Sequence, residues 1–210
     1  MLERAGNAVF RAEQKSFAFV GSGAHREPVR ADLGNSNLFL AIVPERDVAL
    51  QAVEIGRDVA HRNGISKAPR SPDLMHISLN GVGRYADFAE DVVFAVSAAM
   101  ATVRAMPFEV SFDRVMHYAG ANAVVLTNRV RSEEMMDLHV QLAKEMWAVG
   151  LNFTYNARFM PHMTLLYDER PVQEQALAEP LRWVAREFVL IRNVIGRGEY
   201  EYVDRWPLLG

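Results

Sequence analysis

The tetrapeptide His-x-[Ser/Thr]-Leu occurs twice, as His76-Ile77-Ser78-Leu79 and as His162-Met163-Thr164-Leu165, and no other feature constrains this chain as tightly. Side chains alternate along a β-strand, so a strand through the first copy carries His76 and Ser78 on one face and Met75, Ile77 and Leu79 on the other. The second copy divides His162 and Thr164 from Met163 and Leu165 in the same way. Each strand can thus anchor itself in a core with one face and present an imidazole and a hydroxyl with the other. Pro161, just before the second histidine, suits a strand's first position, where its missing N–H costs no ladder bond.

Periodicity elsewhere gives a sequence of short elements. Leu38 to Val43 is an apolar run of the length of a strand buried on both faces. After Pro44, Val48, Ala52, Ile55 and Val59 recur at helical spacing until Gly64 ends the pattern. Leu74 to Leu79 reads as a strand, Phe88, Val92, Val96, Ala99 and Val103 as a second amphipathic helix, and Phe108, Val110 and Phe112 as a half-buried strand. Ala123 to Leu126 is a further strand. A third helix follows with Ser132 as N-cap, Glu133 and Glu134 at its positive end, and Met135, Leu138, Leu142 and Met146 as its buried face. A strand at 162–166, a short helix near 172–178 and strands around 181–194 and 199–206 complete the chain, with Gly196-Arg197-Gly198 as a hairpin turn. The order strand, helix, strand, helix, strands thus occurs twice, with one histidine motif in each half. Residues 1–36, interrupted by Gly21-Ser22-Gly23, are expected to form an appendage to a domain spanning 37–210.

Composition then narrows the chemistry. Half of the 210 residues are apolar and 23% are charged, as in an ordinary globular protein. No run of ~18 apolar residues could cross a bilayer, and the first residues lack a signal peptide's apolar stretch, so no membrane association and a cytoplasmic location are expected. The absence of cysteine removes disulfides, thiolate nucleophiles and cysteine-ligated zinc, leaving oxygen and imidazole groups for any catalysis. A formal charge of -3 argues against wrapping a long nucleic acid but permits a local pocket for a phosphate or two. No close histidine pair has metal-ligand spacing, so neither a metal nor another cofactor is expected.

The paired His-x-[Ser/Thr]-hydrophobic strands, 86 residues apart, resemble those of the two-histidine phosphoesterase superfamily, and within it the bacterial 2′-5′ RNA ligase or RNA 2′,3′-cyclic phosphodiesterase family. Leu38-Phe39-Leu40-Ala41-Ile42-Val43-Pro44 is similar to that family's first strand, Arg158 to His162 to its approach to the second motif, and Phe188 to Trp206 to its closing strands. The resemblance implies an α+β fold of two pseudo-symmetric lobes, each an antiparallel sheet with outer helices, around a central cleft that receives one motif from each lobe. It implies metal-independent hydrolysis of 2′,3′-cyclic phosphate ends of RNA or small nucleotides to 2′-phosphates. His76 would be the acid facing the leaving 3′ oxygen and His162 the base that activates water. A monomer is expected.

That chemistry suits these residue types. An imidazole titrates near neutrality and can serve as either acid or base, and Ser78 and Thr164 can hold non-bridging phosphate oxygens. Two departures from the family pattern stand out. Relatives often carry an arginine five residues after the second histidine, where this chain has Tyr167, a phosphate-binding candidate with a hydroxyl but no charge. Arg84, Arg158 and Arg197 are the candidates to replace that arginine. Asn80-Gly81-Val82-Gly83 also replaces a more apolar continuation of the first motif. The alternatives are another cyclic or 2′-5′ linked nucleotide as substrate, or a catalytically weak module that binds RNA ends. Of the remaining histidines, His139 is expected on a helix surface and His117 in a turn. Tyr200, Tyr202 and Trp206 fit either base stacking or packing equally well.

Overall fold

The computed structural model describes residues 35–209. Strand β1 (Ser36–Ile42) is buried at every position but Asn37, as its apolar run requires. Helix α1 (Arg46–Arg62) leads to β2 (Ile77–Tyr85), and α2 (Glu90–Met100) leads to β3 (Phe108–Tyr118). Next come β4 (Ala123–Thr127), α3 (Glu133–Ala148), β5 (Met163–Tyr167), β6 (Gln175–Ala185), β7 (Glu187–Val194) and β8 (Tyr200–Pro207). The appendage expected for 1–36 lies outside the described residues, apart from Asn35 and from Ser36, which already opens β1.

All eight strands form one antiparallel sheet in the order β6-β3-β4-β5-β2-β1-β7-β8. Two four-stranded halves are visible in it, β2-β1-β7-β8 and β6-β3-β4-β5, and these are the two lobes of an α+β fold. In each lobe a helix carries the chain between neighbouring antiparallel strands, from β1 to β2 and from β4 to β5. The lobes meet at β2 and β5, where Ile77 and Met163 are the register pair. The lobes are not consecutive halves of the chain, since β7 and β8 return to the first lobe and β3 belongs to the second.

The helices cross the joint. α1 packs against β5 and β6 of the second lobe, and α3 packs against β2 of the first. The main core lies between helices and sheet and contains Leu40, Ile42, Ile77, Leu126, Leu142, Met163 and Leu165, all wholly excluded from solvent. A smaller cluster of Phe39, Ala41, Val189 and Ile191 covers the other face of the first lobe and supports Tyr200. Ser132 caps α3 as its sequence predicts, its hydroxyl accepting from the Met135 N–H at 3.2 Å. None of the helices among the described residues is long and apolar enough to cross a membrane.

Several local expectations are corrected. The segment 172–178 forms no helix, because Gln175 and Ala176 pair with Val115 and Arg114 and the ladder outweighs the helix preference of its alanines and leucine. β2 begins at Ile77, after a single 3₁₀ turn at Pro72–Leu74, and runs on through the glycines to Tyr85. His139 is 1% exposed, not on the surface. It lies four residues after Met135 and three before Leu142, on the buried stripe of α3, with Phe159 stacked at 4.3 Å. His117 lies within β3 and faces the Asp168 carbonyl at 3.0 Å, so it is no turn residue.

Candidate active site

The joint between the lobes brings the two motifs together. With Ile77 opposite Met163 in an antiparallel ladder, one further step of the register sets His76 opposite Thr164 and His162 opposite Ser78. Ile77 and Met163 are fully buried on the core side, so these four neighbours project from the other face. The histidines are then diagonal cross-strand neighbours, roughly 7–8 Å apart at the backbone. That leaves room for one tetrahedral phosphorus between two imidazoles. A cavity of about 360 Å³ opens here, lined by His76, Ser78, His162 and Thr164. Tyr118, Tyr167 and Tyr200 complete its aromatic walls, and Asn37, Gly81 and Asn193 extend its floor along the first lobe.

The two imidazoles are oriented in the same way. His76 Nδ1 donates to the Leu74 carbonyl at 2.9 Å and His162 Nδ1 to the Met160 carbonyl at 2.8 Å, each two residues back. A carbonyl only accepts, so in each neutral ring the proton sits on Nδ1 and Nε2 carries the free lone pair. His76 Nε2 lies 3.1 Å from Ser78 Oγ, which donates to it while the ring is neutral. Aromatic neighbours fix both rings: Phe39 and Tyr200 lie 5.2 and 5.3 Å from His76, and Tyr118 stacks on His162 at 5.5 Å. Burial pushes the His76 imidazole down to about 4; the Leu74 carbonyl acts the other way, and the charges of Arg70 and His162 lower it further. His76 is therefore neutral at neutral pH.

Tyr167 reaches the cavity through a backbone irregularity. Strict alternation would turn the fifth residue after His162 toward the core, with Met163 and Leu165. The ladder between β4 and β5 instead passes from Val125↔Thr164 to Val124↔Leu166, leaving Leu165 as the extra residue of a bulge. The same step occurs in the first lobe, from Ala41↔Ser78 to Leu40↔Asn80, with Leu79 as the extra residue. Each motif leucine thus advances the strand's phase by one position. Leu165 and Leu166 are both buried, as are Leu79 and Asn80, and Tyr167 and Gly81 face the cavity.

Arg70 is the residue that sequence reasoning missed. Its guanidinium donates to the Tyr200 hydroxyl at 2.8 Å, to the Tyr167 hydroxyl at 3.4 Å and to the Leu74 carbonyl at 3.4 Å. Its backbone N–H donates to the carbonyl of the bulged Leu165 at 2.7 Å, which ties the loop before the first motif to the strand of the second. Nothing in the sequence links position 70 to positions 167 and 200; its only signal is an arginine in a proline-containing loop six residues ahead of His76. Arg84, Arg158 and Arg197 are exposed and line no part of the cavity. Arg197 occupies the expected turn between β7 and β8. The evenly spaced aromatics of β8 divide: Tyr200 lines the cavity, Tyr202 lies under Arg205, and Trp206 stacks on Phe188 at 5.2 Å. Among the described residues, no three of His, Cys, Asp and Glu gather as a metal site would require.

The 2′-5′ RNA ligase superfamily matches the chain over residues 44–195. Among solved structures, E. coli LigT complexed with 3′-AMP superimposes with a TM-score of 0.71 at 22% identity, over 83% of this chain and 99% of LigT. A crystal structure described as a phosphoesterase gives 0.70 at 22% identity over 83% and 99% of the two chains. TT0787 of Thermus thermophilus gives 0.64 at 21% identity, over 83% and 98%. These likenesses carry the fold. No curated protein matches the chain in sequence.

Proposed function

Since the chain belongs to the 2′-5′ RNA ligase superfamily, we propose that its cavity hydrolyses 2′,3′-cyclic phosphate ends of RNA or of small nucleotides to 2′-phosphates, without a metal. The observation that carries this reading is the pair of imidazoles on one sheet face, each with Nδ1 committed to a backbone carbonyl and Nε2 turned to the cavity side, where on His76 it meets only the Ser78 hydroxyl of its own motif. A diagonal cross-strand spacing of roughly 7–8 Å suits a phosphodiester held between them. In the forward reaction His162 Nε2 takes a proton from water as its oxygen attacks phosphorus. The bond from phosphorus to O3′ breaks, and O3′ takes the proton held on His76 Nε2. Ser78 and Thr164 donate to the non-bridging oxygens as charge builds on them. An RNA 5′-hydroxyl in place of water would give a 2′-5′ linkage by the same movements.

His76 must be charged to act as the acid. An anionic phosphate beside it favours the imidazolium and opposes the burial and the Arg70 charge that otherwise keep it neutral. The same lowered proton affinity supports a second reading, in which neutral His76 is the base and His162 the acid. A phosphodiester with a p-nitrophenolate leaving group separates the two, because that group departs without a proton. Loss of the acid is then suppressed and loss of the base is not.

The test of the function itself is incubation with an oligonucleotide ending in 2′,3′-cyclic phosphate, in excess EDTA, beside His76→Ala and His162→Ala. Conversion to a 2′-phosphate by the wild type alone is expected. No conversion by folded wild type would overturn the reading in favour of another cyclic or 2′-5′ linked nucleotide, or of a module that binds RNA ends without opening them. Binding of the same oligonucleotide decides between these two.

A further inference from the structure

The cavity proposed to hold a phosphate has neither arginine nor lysine among its lining residues. We infer that Arg70 is a positioning residue that makes Tyr167 and Tyr200 phosphate donors, so that one guanidinium behind two phenols replaces a cation in the cavity wall. The inference rests on the proposed function only for the choice of a phosphate ester as ligand.

Hydrogen-bond directionality carries it. A guanidinium has donors and no acceptor, so each phenol oxygen that meets Arg70 must accept. The hydrogen of each phenol then points away from Arg70, and among the described residues neither hydroxyl has another hydrogen-bond partner. Both tyrosines line the cavity, and an anion there is the acceptor that completes the pattern. A phenol that accepts from a cation is polarised and becomes the stronger donor. Arg70 has no carboxylate partner among the described residues, so its charge is left for this use. Its buried Nε also lacks a partner, as for a side chain placed by its two terminal nitrogens.

The group is built into the second motif. The Arg70 N–H to Leu165 carbonyl bond fastens position 70 to the bulge that turns Tyr167 into the cavity. Guanidinium and phenol are therefore placed by the same irregularity. The guanidinium carbon also lies 5.5 Å from the centre of the Tyr167 ring, near enough for the ring face to hold it.

The test measures binding of inorganic phosphate and of a nucleoside 2′-monophosphate by calorimetry, neither of which requires turnover. Arg70→Met is expected to weaken both by about tenfold, the loss typical of one charge-assisted interaction. The double variant Tyr167→Phe/Tyr200→Phe should lose a similar amount, and adding Arg70→Met to it should cost little more, because the charge acts through the phenols. Placing Tyr167→Arg in the Arg70→Met background should restore binding, since the cation then reaches the anion directly. Wild-type affinity in Arg70→Met overturns the inference. So does a loss that Tyr167→Arg fails to restore, which would make Arg70 a structural clamp. Arg70-dependent phosphate binding without opening of any cyclic phosphate would sink the proposed reaction alone. Turnover with Arg70-independent phosphate affinity would sink this inference alone.

Discussion

Gly81 and Tyr167 occupy equivalent positions in the two lobes: each lies five residues beyond its motif histidine, each follows a bulge at the motif leucine, and each lines the cavity. Their side chains could hardly differ more. A Cβ added at Gly81 meets no atom within 4 Å. Beyond it, Asn37 and Asn193 face each other across β1 and β7. One wall of the cavity is therefore a phenol backed by a cation, and the other is open above a glycine.

Filling that opening separates the phosphate from the rest of the substrate. Gly81 has no left-handed φ to strain, so Gly81→Leu should fold with stability within about 1 kcal/mol of wild type. Inorganic phosphate should bind as before. The KM for a cyclic-phosphate oligonucleotide should rise about tenfold or more, the factor that accompanies each 1.4 kcal/mol of lost binding. An unchanged KM would show that the nucleoside does not pass over Gly81.

The four motif side chains should differ in rank. Removing either imidazole by His76→Ala or His162→Ala is expected to lower kcat by ~10²–10⁴, as for a general acid or base. Ser78→Ala and Thr164→Ala remove donors to the developing charge and should cost up to ~10²–10³. A steady-state comparison of the four variants, each checked for folding, tests the order. A hydroxyl variant more damaged than both histidine variants would contradict it.

The lowered proton affinity of His76 also makes stability depend on pH. The unfolded imidazole titrates near its ordinary value of 6.5, and the folded one only near about 4. Between these values the unfolded chain binds the extra proton, so stability is fully present above about 6.5 and is lost as pH falls toward about 4. The urea midpoint should fall across that window in wild type and fall less in His76→Asn. Equal slopes for the two proteins would mean that His76 is charged as easily when folded as when unfolded.

Much of the fold was legible because it rests on local chemistry: the apolar run of β1, the helical spacing of α1 and α3, and the Ser132 cap. His76, Ser78, His162 and Thr164 were legible for a related reason, since alternation along a strand needs only neighbouring residues. What escaped depends on pairings between distant segments. Gln175 and Ala176 became strand because β3 was there to pair with them. His139 went inside because β2 and the loop before β5 cover its face, with the Leu79 carbonyl at 3.1 Å and the Asn156 carbonyl at 3.2 Å from its two nitrogens. Arg70 was invisible because the two phenols it donates to lie 97 and 130 residues away. The face of Tyr167 followed from a bulge, which alternation alone cannot foresee.

The register pair at the joint supplies a last test. If Ile77 opposite Met163 sets the diagonal between the histidines, a cavity beneath that pair should damage catalysis more than stability alone explains. Ile77→Ala and Leu142→Ala both truncate side chains with no exposure, and each should cost about 2–5 kcal/mol. Leu142 lies on α3, away from the cavity lining, so its variant serves as the control. At a temperature where both proteins remain folded, Ile77→Ala should lose kcat by about tenfold or more, because small misplacements of reacting groups are costly, and Leu142→Ala should stay near wild type. Equal kcat values in the two variants would mean that the histidines are positioned by their own Nδ1 bonds to Leu74 and Met160, and not by the strand pair between the lobes.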